Sequence, residues 1–150
     1  MAGRVLPSER PQHVIYEIPN PLGAVGVLTA FNFPVAVFGW NFCVAFAAGN
    51  STIWKPSPTT PLCAIAITKL IEPILEKNGL PGAAAALVCG DIDVGKEIVG
   101  SEDIPLVSFT GSEKVGKEVA KVVQDRFGKV LLELGGNNAV IVDKDADLKL

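Results

Sequence analysis

Apolar residues fall in short blocks separated by glycine and proline, and the spacing within each block predicts its element. His13 to Ile18 alternates apolar and polar positions, and Gly23 to Ala30 is a nearly continuous apolar run of strand length. Continuous runs suit strands buried on both faces. From Pro34 a helix is predicted, because proline is tolerated in a first turn, Val35 to Ala48 is long enough, and Gly49-Asn50 supplies a stop. The stretch Phe31 to Ala48 has the length of a membrane segment, but Asn32, Pro34, Gly39 and Asn41 interrupt it, so a buried helix is expected instead. Ser51 to Lys55 reads as a strand. Prolines at 56, 58 and 61 then force a loop, and Leu62 to Lys77 reads as a helix closed by Asn78-Gly79 and by Leu80-Pro81-Gly82.

Further on, Ala83 to Val88 predicts a strand, Asp93 to Val99 a short helix, and Leu106 to Thr110 another strand. Val115, Val119, Val122 and Val123 recur at helical spacing within Glu113 to Phe127, which predicts an amphipathic helix lying on a sheet. Gly128 ends it. Val130 to Leu134 follows as a strand, Gly135-Gly136-Asn137 as a turn and Ala139 to Val142 as a strand, while Asp143 to Leu150 reads as the opening of a helix capped by Asp143. Strands alternating with helices of this length predict an α/β fold with a Rossmann-like, doubly wound parallel sheet. The last apolar face is unfinished, so the chain is expected to be an incomplete domain.

Composition narrows the class. With 49% hydrophobic and 19% charged residues and a net charge of −3, the 150 residues can bury a core and argue against disorder. The mild acidity offers no broad positive field, so neither nucleic acid nor a membrane surface is expected as a partner. So high an apolar fraction implies surface covered by more chain or by another subunit, and a homo-oligomer is expected. Cys43, Cys63 and Cys89 stand too far apart for a metal pair or a disulfide framework, which fits a reducing compartment. Arg4, Glu9, Arg10 and two prolines occupy Met1 to Gln12, where a secretory leader would need an apolar segment, so secretion is not expected. His13 is the one histidine, which removes His-centred triads and histidine metal sites and leaves a solvated side chain as its plain reading. No metal is expected.

Four stretches lie at the carboxyl ends of predicted strands, where open α/β sheets place their ligands. In Phe31-Asn32-Phe33-Pro34 the amide of Asn32 could donate to a developing oxyanion, or could simply bond its own turn. In Lys55-Pro56-Ser57-Pro58 the lysine could reach a ribose hydroxyl, with Ser57 beside it, or could be solvated. In Phe109-Thr110-Gly111-Ser112 a strand runs through a glycine turn into a helix, whose free N–H groups and dipole suit a pyrophosphate at Gly111 and Ser112; capping by Ser112 is the plain alternative. The same region reads G-S-E-K-V-G-K, the spacing of a triphosphate-binding loop, but Glu118 replaces the hydroxyl residue that would ligate Mg²⁺.

The fourth stretch is Glu133. Alternation places Lys129, Leu131 and Glu133 on one strand face and Val130, Leu132 and Leu134 on the other. A carboxylate following such an apolar run is expected to be partly desolvated, which raises its pKa toward that of a general base. Leu134, Gly135 and Gly136 then allow backbone to approach a planar ligand. An ion pair with Lys129 is the plain alternative.

Taken together, F-N-F-P at Phe31 to Pro34, G-N-S-T-I-W-K-P-S at Gly49 to Ser57, L-P-G at Leu80 to Gly82, F-T-G-S-x-x-V-G at Phe109 to Gly116 and E-L-G-G-N-N at Glu133 to Asn138 resemble the aldehyde dehydrogenase superfamily. Gly3 to Arg10 and Leu131 to Ala139 look most like its antiquitin branch, associated with α-aminoadipic semialdehyde. The resemblance implies an NAD-dependent oxidation of an aldehyde to a carboxylic acid through a thioester, in an oligomer, a tetramer, of a cytoplasmic or mitochondrial protein. It implies Asn32 as oxyanion-hole amide and Glu133 as the base that activates the deacylating water. Lys55 and Ser57, Gly111 and Ser112, and Leu134 and Gly135 would then contact the coenzyme.

Two departures qualify what the resemblance implies. Many NAD-preferring relatives carry glutamate three residues after the lysine; Pro58 stands here, so NADP stays open beside NAD. The nucleophilic cysteine is expected past Leu150, and residues 1–150 are expected to be a partial NAD(P)-binding domain, without the catalytic domain and without turnover of its own. Cys43, expected inside a buried helix, is an inert thiol rather than that nucleophile. The rival readings are a non-catalytic α/β binding fragment and the triphosphatase.

Overall fold

A computed structural model of the chain describes residues 3–149. It opens with an antiparallel ribbon in which β1 (Arg4–Leu6) pairs with β2 (Ile15–Glu17), Arg4 opposite Glu17. The core elements follow in order: β3 (Ala24–Leu28), α1 (Ala36–Ala47), β4 (Ser51–Lys55), α2 (Pro61–Lys77), a 3₁₀ turn (Gly82–Ala84), β5 (Ala85–Leu87), α3 (Ile92–Gly100), β6 (Leu106–Gly111), α4 (Glu113–Asp125) and β7 (Lys129–Leu134).

All five strands of the main sheet run parallel, in the order β5-β4-β3-β6-β7. The chain winds outward from β3 through β4 to β5, then returns to the other side of β3 for β6 and β7. The doubly wound expectation is met, and the order reverses between β3 and β6, where α/β sheets open a ligand crevice at their carboxyl ends.

Parallel register keeps paired residues on a common face. Val25, Val27 and Trp54 turn toward α1 and α2, where they form a core with Phe38 and Ala64. Leu28, Val107 and Phe109 turn the other way and pack with Ile98, Val99, Val119 and Val123 of α3 and α4. Close approach of α3 depends on Gly26, where an added Cβ would stand 2.8 Å from a methyl of Ile98. Arg126 fastens the two helices on that face, donating from Nε to the Val99 carbonyl at 3.0 Å and from Nη2 to that of Ile104 at 2.8 Å.

Entry into β4 is fixed by one buried amide. Asn50 Oδ1 accepts from the backbone N–H of Leu22 at 2.5 Å and of Gly23 at 3.0 Å, and Nδ2 donates to the Ala45 carbonyl at 3.1 Å. Asn50→Ala strands those groups and is expected to cost about 2–3 kcal/mol, read as a lower urea midpoint at constant slope.

Several expectations change. Ala139 to Val142 is irregular, with Val140 and Ile141 exposed, because no neighbouring strand among the described residues pairs with it. The segment after Asp143 forms turns rather than a helix, with Asp143 Oδ1 accepting from its neighbour Lys144 N–H at 2.7 Å; Leu150 lies outside the described residues. The helix expected to be buried is covered on one side only: Val37 and Phe38 are buried, whereas Trp40 is 64% and Val44 73% exposed, and Cys43 is exposed with them. Apolar composition all round a helix does not supply the second layer that would bury it. On α4 the buried stripe is Gly116, Val119 and Val123; Val115 and Val122 flank it and stay exposed. His13 is exposed, its Nδ1 2.9 Å from the Pro11 carbonyl oxygen.

No helix among the described residues is long and apolar enough to cross a membrane. Among the same residues no trio of His, Cys, Asp or Glu gathers in a way that could hold a metal ion.

Candidate active site

The carboxyl ends of β3, β4, β6 and β7 form one edge of the sheet, and the four sequence-predicted stretches all lie on it. Asn32 follows β3 in the bends that lead into α1, exposed between the exposed rings of Phe31 and Phe33. Among the described residues its amide makes no hydrogen bond, so it is not consumed by its own turn. Glu133 stands in β7 opposite Thr110 of β6, on the same sheet face as Val27 and Trp54. That is the α1 side, the side onto which Asn32 leads. With strands about 4.8 Å apart, β3 and β7 lie about 10 Å from each other across β6.

Glu133 is exposed, not partly desolvated as the sequence suggested. β7 is the edge strand, and α1 and α2 cover β3, β4 and β5 on this face rather than β7. No ion pair with Lys129 is formed; the one ion pair among the described residues joins Lys96 to Asp93 at 3.9 Å.

The coenzyme stretches share the edge but lie on the opposite face. Lys55 pairs in register with Leu28, so its side chain runs toward α3. The residue as a whole is 8% exposed, its stem packed against the sheet face, while its Nζ is not among the buried unpartnered atoms and keeps access to solvent; no hydrogen bond or ion pair among the described residues engages it. Burial pushes the ammonium below the ordinary lysine value, while Asp91 and then Cys89 pull it back up. Ser57 is half-buried, its hydroxyl 3.0 Å from that of Thr59.

Ser112 caps α4, accepting from the Val115 N–H at 3.4 Å, and Gly111 passes so close to the Phe109 ring that an added Cβ would stand 2.6 Å from it. Helix α4 begins at Glu113, so Gly116 and Lys117 are helical, and Gly116 is pressed against Leu134, whose methyl would lie 2.5 Å from an added Cβ. A triphosphate loop needs that segment open around the phosphates; this one is a helix docked on a strand, and the triphosphatase reading falls. Leu134 spends its side chain on this packing, leaving backbone there and at the exposed Gly135 for a ligand.

The model of the aldehyde dehydrogenase family matches residues 1–150. The chain belongs to the aldehyde dehydrogenase family. It is 59% identical over 150 residues to a mouse (Mus musculus) alpha-aminoadipic semialdehyde dehydrogenase and 57% identical over 148 residues to a pea (Pisum sativum) aldehyde dehydrogenase family 7 member A1, covering 100% and 99% of this chain. It spans only 28% and 29% of those relatives. Among solved structures, the glyceraldehyde-3-phosphate dehydrogenase GapN of Methanocaldococcus jannaschii complexed with NADP superposes with a TM-score of 0.87 at 40% identity, over 99% of this chain and 32% of that one. A betaine aldehyde dehydrogenase point mutant of Staphylococcus aureus in complex with NAD+ superposes with a TM-score of 0.85 at 33% identity, over 98% and 29%.

Sequence reasoning missed three polar side chains that shape the site. Thr29 holds the Trp54 indole, Nε1 donating to Oγ1 at 2.9 Å, immediately before Lys55 in β4. Asn50, read only as a helix stop, sets the start of that strand. Asp91, between Cys89-Gly90 and α3, gave no signal, because its relation to Lys55 exists only once β4 and β5 are paired.

Proposed function

We propose that residues 1–150 are the coenzyme-binding portion of an NAD(P)-dependent aldehyde dehydrogenase that oxidises α-aminoadipic semialdehyde to the carboxylic acid. The observation that supports this reading is the shared carboxyl edge of the sheet: Asn32 follows β3 there on the way into α1, Glu133 stands on the α1 face of β7, and Lys55 and Gly111 stand on the face of α3 and α4. An unengaged lysine ammonium at a strand end and a close glycine turn at a helix start fit a dinucleotide. The identity to the semialdehyde dehydrogenase of mouse supports the substrate.

In this reading Lys55 donates to a ribose hydroxyl, with Ser57 adjacent, and Gly111, Ser112 and the first N–H groups of α4 hold the pyrophosphate. Leu134 and Gly135 present backbone to the planar ring. When bound, the dinucleotide supplies the hydride acceptor. Asn32 donates from its amide to the carbonyl oxygen as negative charge gathers there, and Glu133 removes a proton from the water that releases the acid. None of Cys43, Cys63 and Cys89 is assigned the nucleophile's role, and the 150 residues alone are expected to show no turnover. The exposed apolar side of α1 at Trp40 and Val44 supports burial in a homo-tetramer, and three free thiols suit a reducing compartment, cytoplasm or mitochondrial matrix.

Asn32→Ala in the full-length enzyme tests the arrangement. Acyl formation, followed by pre-steady-state NADH absorbance, should slow by about 10²–10³-fold with NAD affinity unchanged. A large loss of NAD affinity with an unaltered chemical step would remove Asn32 from the oxyanion role.

A further inference from the structure

Among the described residues four buried hydroxyls lack a hydrogen-bond partner: those of Thr52, Thr60, Ser108 and Thr110. Buried hydroxyls are as a rule paired, so each asks for a reason. Thr52 and Ser108 stand between apolar register partners, Val25 and Ala85 in one case and Val27 and Leu131 in the other, whereas Thr110 is paired across to Glu133. On its β3 side the register continues from Leu28 and Phe109, which sets Thr29 beside it. Parallel pairing turns all three side chains to the face of α1, with about 4.8 Å from strand to strand. Thr29 is already engaged, its Oγ1 accepting from the Trp54 indole at 2.9 Å. Glu133 is exposed, and no hydrogen bond or ion pair among the described residues holds its carboxylate. A buried donor without an acceptor and a carboxylate without a donor therefore stand on adjacent strands at one level of the sheet.

We propose that Thr110 is a positioning residue for Glu133, its hydroxyl donating to the carboxylate when that side chain turns inward over β6, a proposal that rests on the reading of Glu133 as the base. Turned outward, the carboxylate faces solvent and nothing fixes its aim. Turned inward, one oxygen accepts from Thr110 and the other keeps its lone pairs for the proton of the attacking water. The bond formed is charge-assisted, and it gives the buried hydroxyl the acceptor that the fold otherwise denies it.

In the full-length enzyme, Thr110→Val removes the donor and keeps the shape. Steady-state aldehyde oxidation should fall by about tenfold or more, the range expected when a hydrogen bond to a charged group is lost. The first-turnover burst of NADH should stay at its wild-type size and rate, and the urea midpoint should not drop, since no hydrogen bond of the resting fold is removed. Thr110→Ser, which restores the hydroxyl, should recover most of the rate. Added to Glu133→Gln, Thr110→Val should cost nothing further, because the group it positions no longer takes a proton. Ser108→Ala deletes the neighbouring unpartnered hydroxyl and should cycle at the wild-type rate. The proposal fails if Thr110→Val cycles like the wild type, if Ser108→Ala matches its loss, if its loss multiplies with that of Glu133→Gln, or if the burst declines in step with the steady state. In each of those cases a Glu133→Gln variant that keeps the burst and loses cycling still supports the base. If Glu133→Gln itself cycles at the wild-type rate, the reading of the base fails and takes the role of Thr110 with it.

Discussion

Glu133→Gln in the full-length enzyme is expected to lower steady-state aldehyde oxidation by about 10²–10⁴-fold while the first turnover still releases a burst of NADH. Glutamine keeps the shape and the β7 register opposite Thr110 but cannot take a proton from water. The separation of burst from steady state matters because the proposed reaction draws on different residues in its two halves: in that proposal hydride loss needs the carbonyl held by Asn32, whereas release of the acid needs the base. Single-turnover and multiple-turnover absorbance traces on one preparation make the comparison. A variant that cycles at the wild-type rate would show that Glu133 is not the base, and loss of the burst as well would place it in the first half-reaction.

Trp54→Ala is expected to cost about 3–5 kcal/mol, enough to threaten folding of so small a unit. The indole is completely buried, stacks on Phe38 at a centroid distance of 3.9 Å with the planes 4° apart, and donates to Thr29. Truncation opens a cavity between β4 and α1 and leaves the Thr29 hydroxyl unpaired inside it. Trp54→Phe retains the stack and loses the hydrogen bond, so a cost of about 1–2 kcal/mol is expected, measured by urea unfolding followed by circular dichroism. Equal losses in the two variants would show that the hydrogen bond, rather than ring packing, holds β4 in place.

The elements that the sequence predicted well are those whose own residues settle the matter. Ser51 to Lys55 is a strand at the predicted limits, and the predicted helices that became α1 and α2 are stopped near Gly49 and Gly79, both at positive φ. The failures share one cause, which is dependence on a neighbour. Ala139 to Val142 has strand composition but finds no backbone to pair with, and the helix at Phe38 to Val44 has core composition but only one covered side. The same holds at the site. Asn32, Lys55, Gly111 and Glu133 could be picked out one by one from strand ends, whereas the burial of the Lys55 stem requires the pairing of β4 with β3 and the docking of Gly95 on Leu28. The exposure of Glu133 was equally hidden, because strand alternation assigns a face without saying whether anything lies over it.

The parallel ladder also makes odd and even positions of β6 mean different things. Ser108 and Thr110 look toward the face of α1 and α2, Phe109 and Gly111 toward that of α3 and α4, and both sets hang on one stretch of six residues. Sliding that strand by a single residue would exchange the two faces wholesale, so an insertion or deletion within it re-aims every side chain it carries and is not a local blemish.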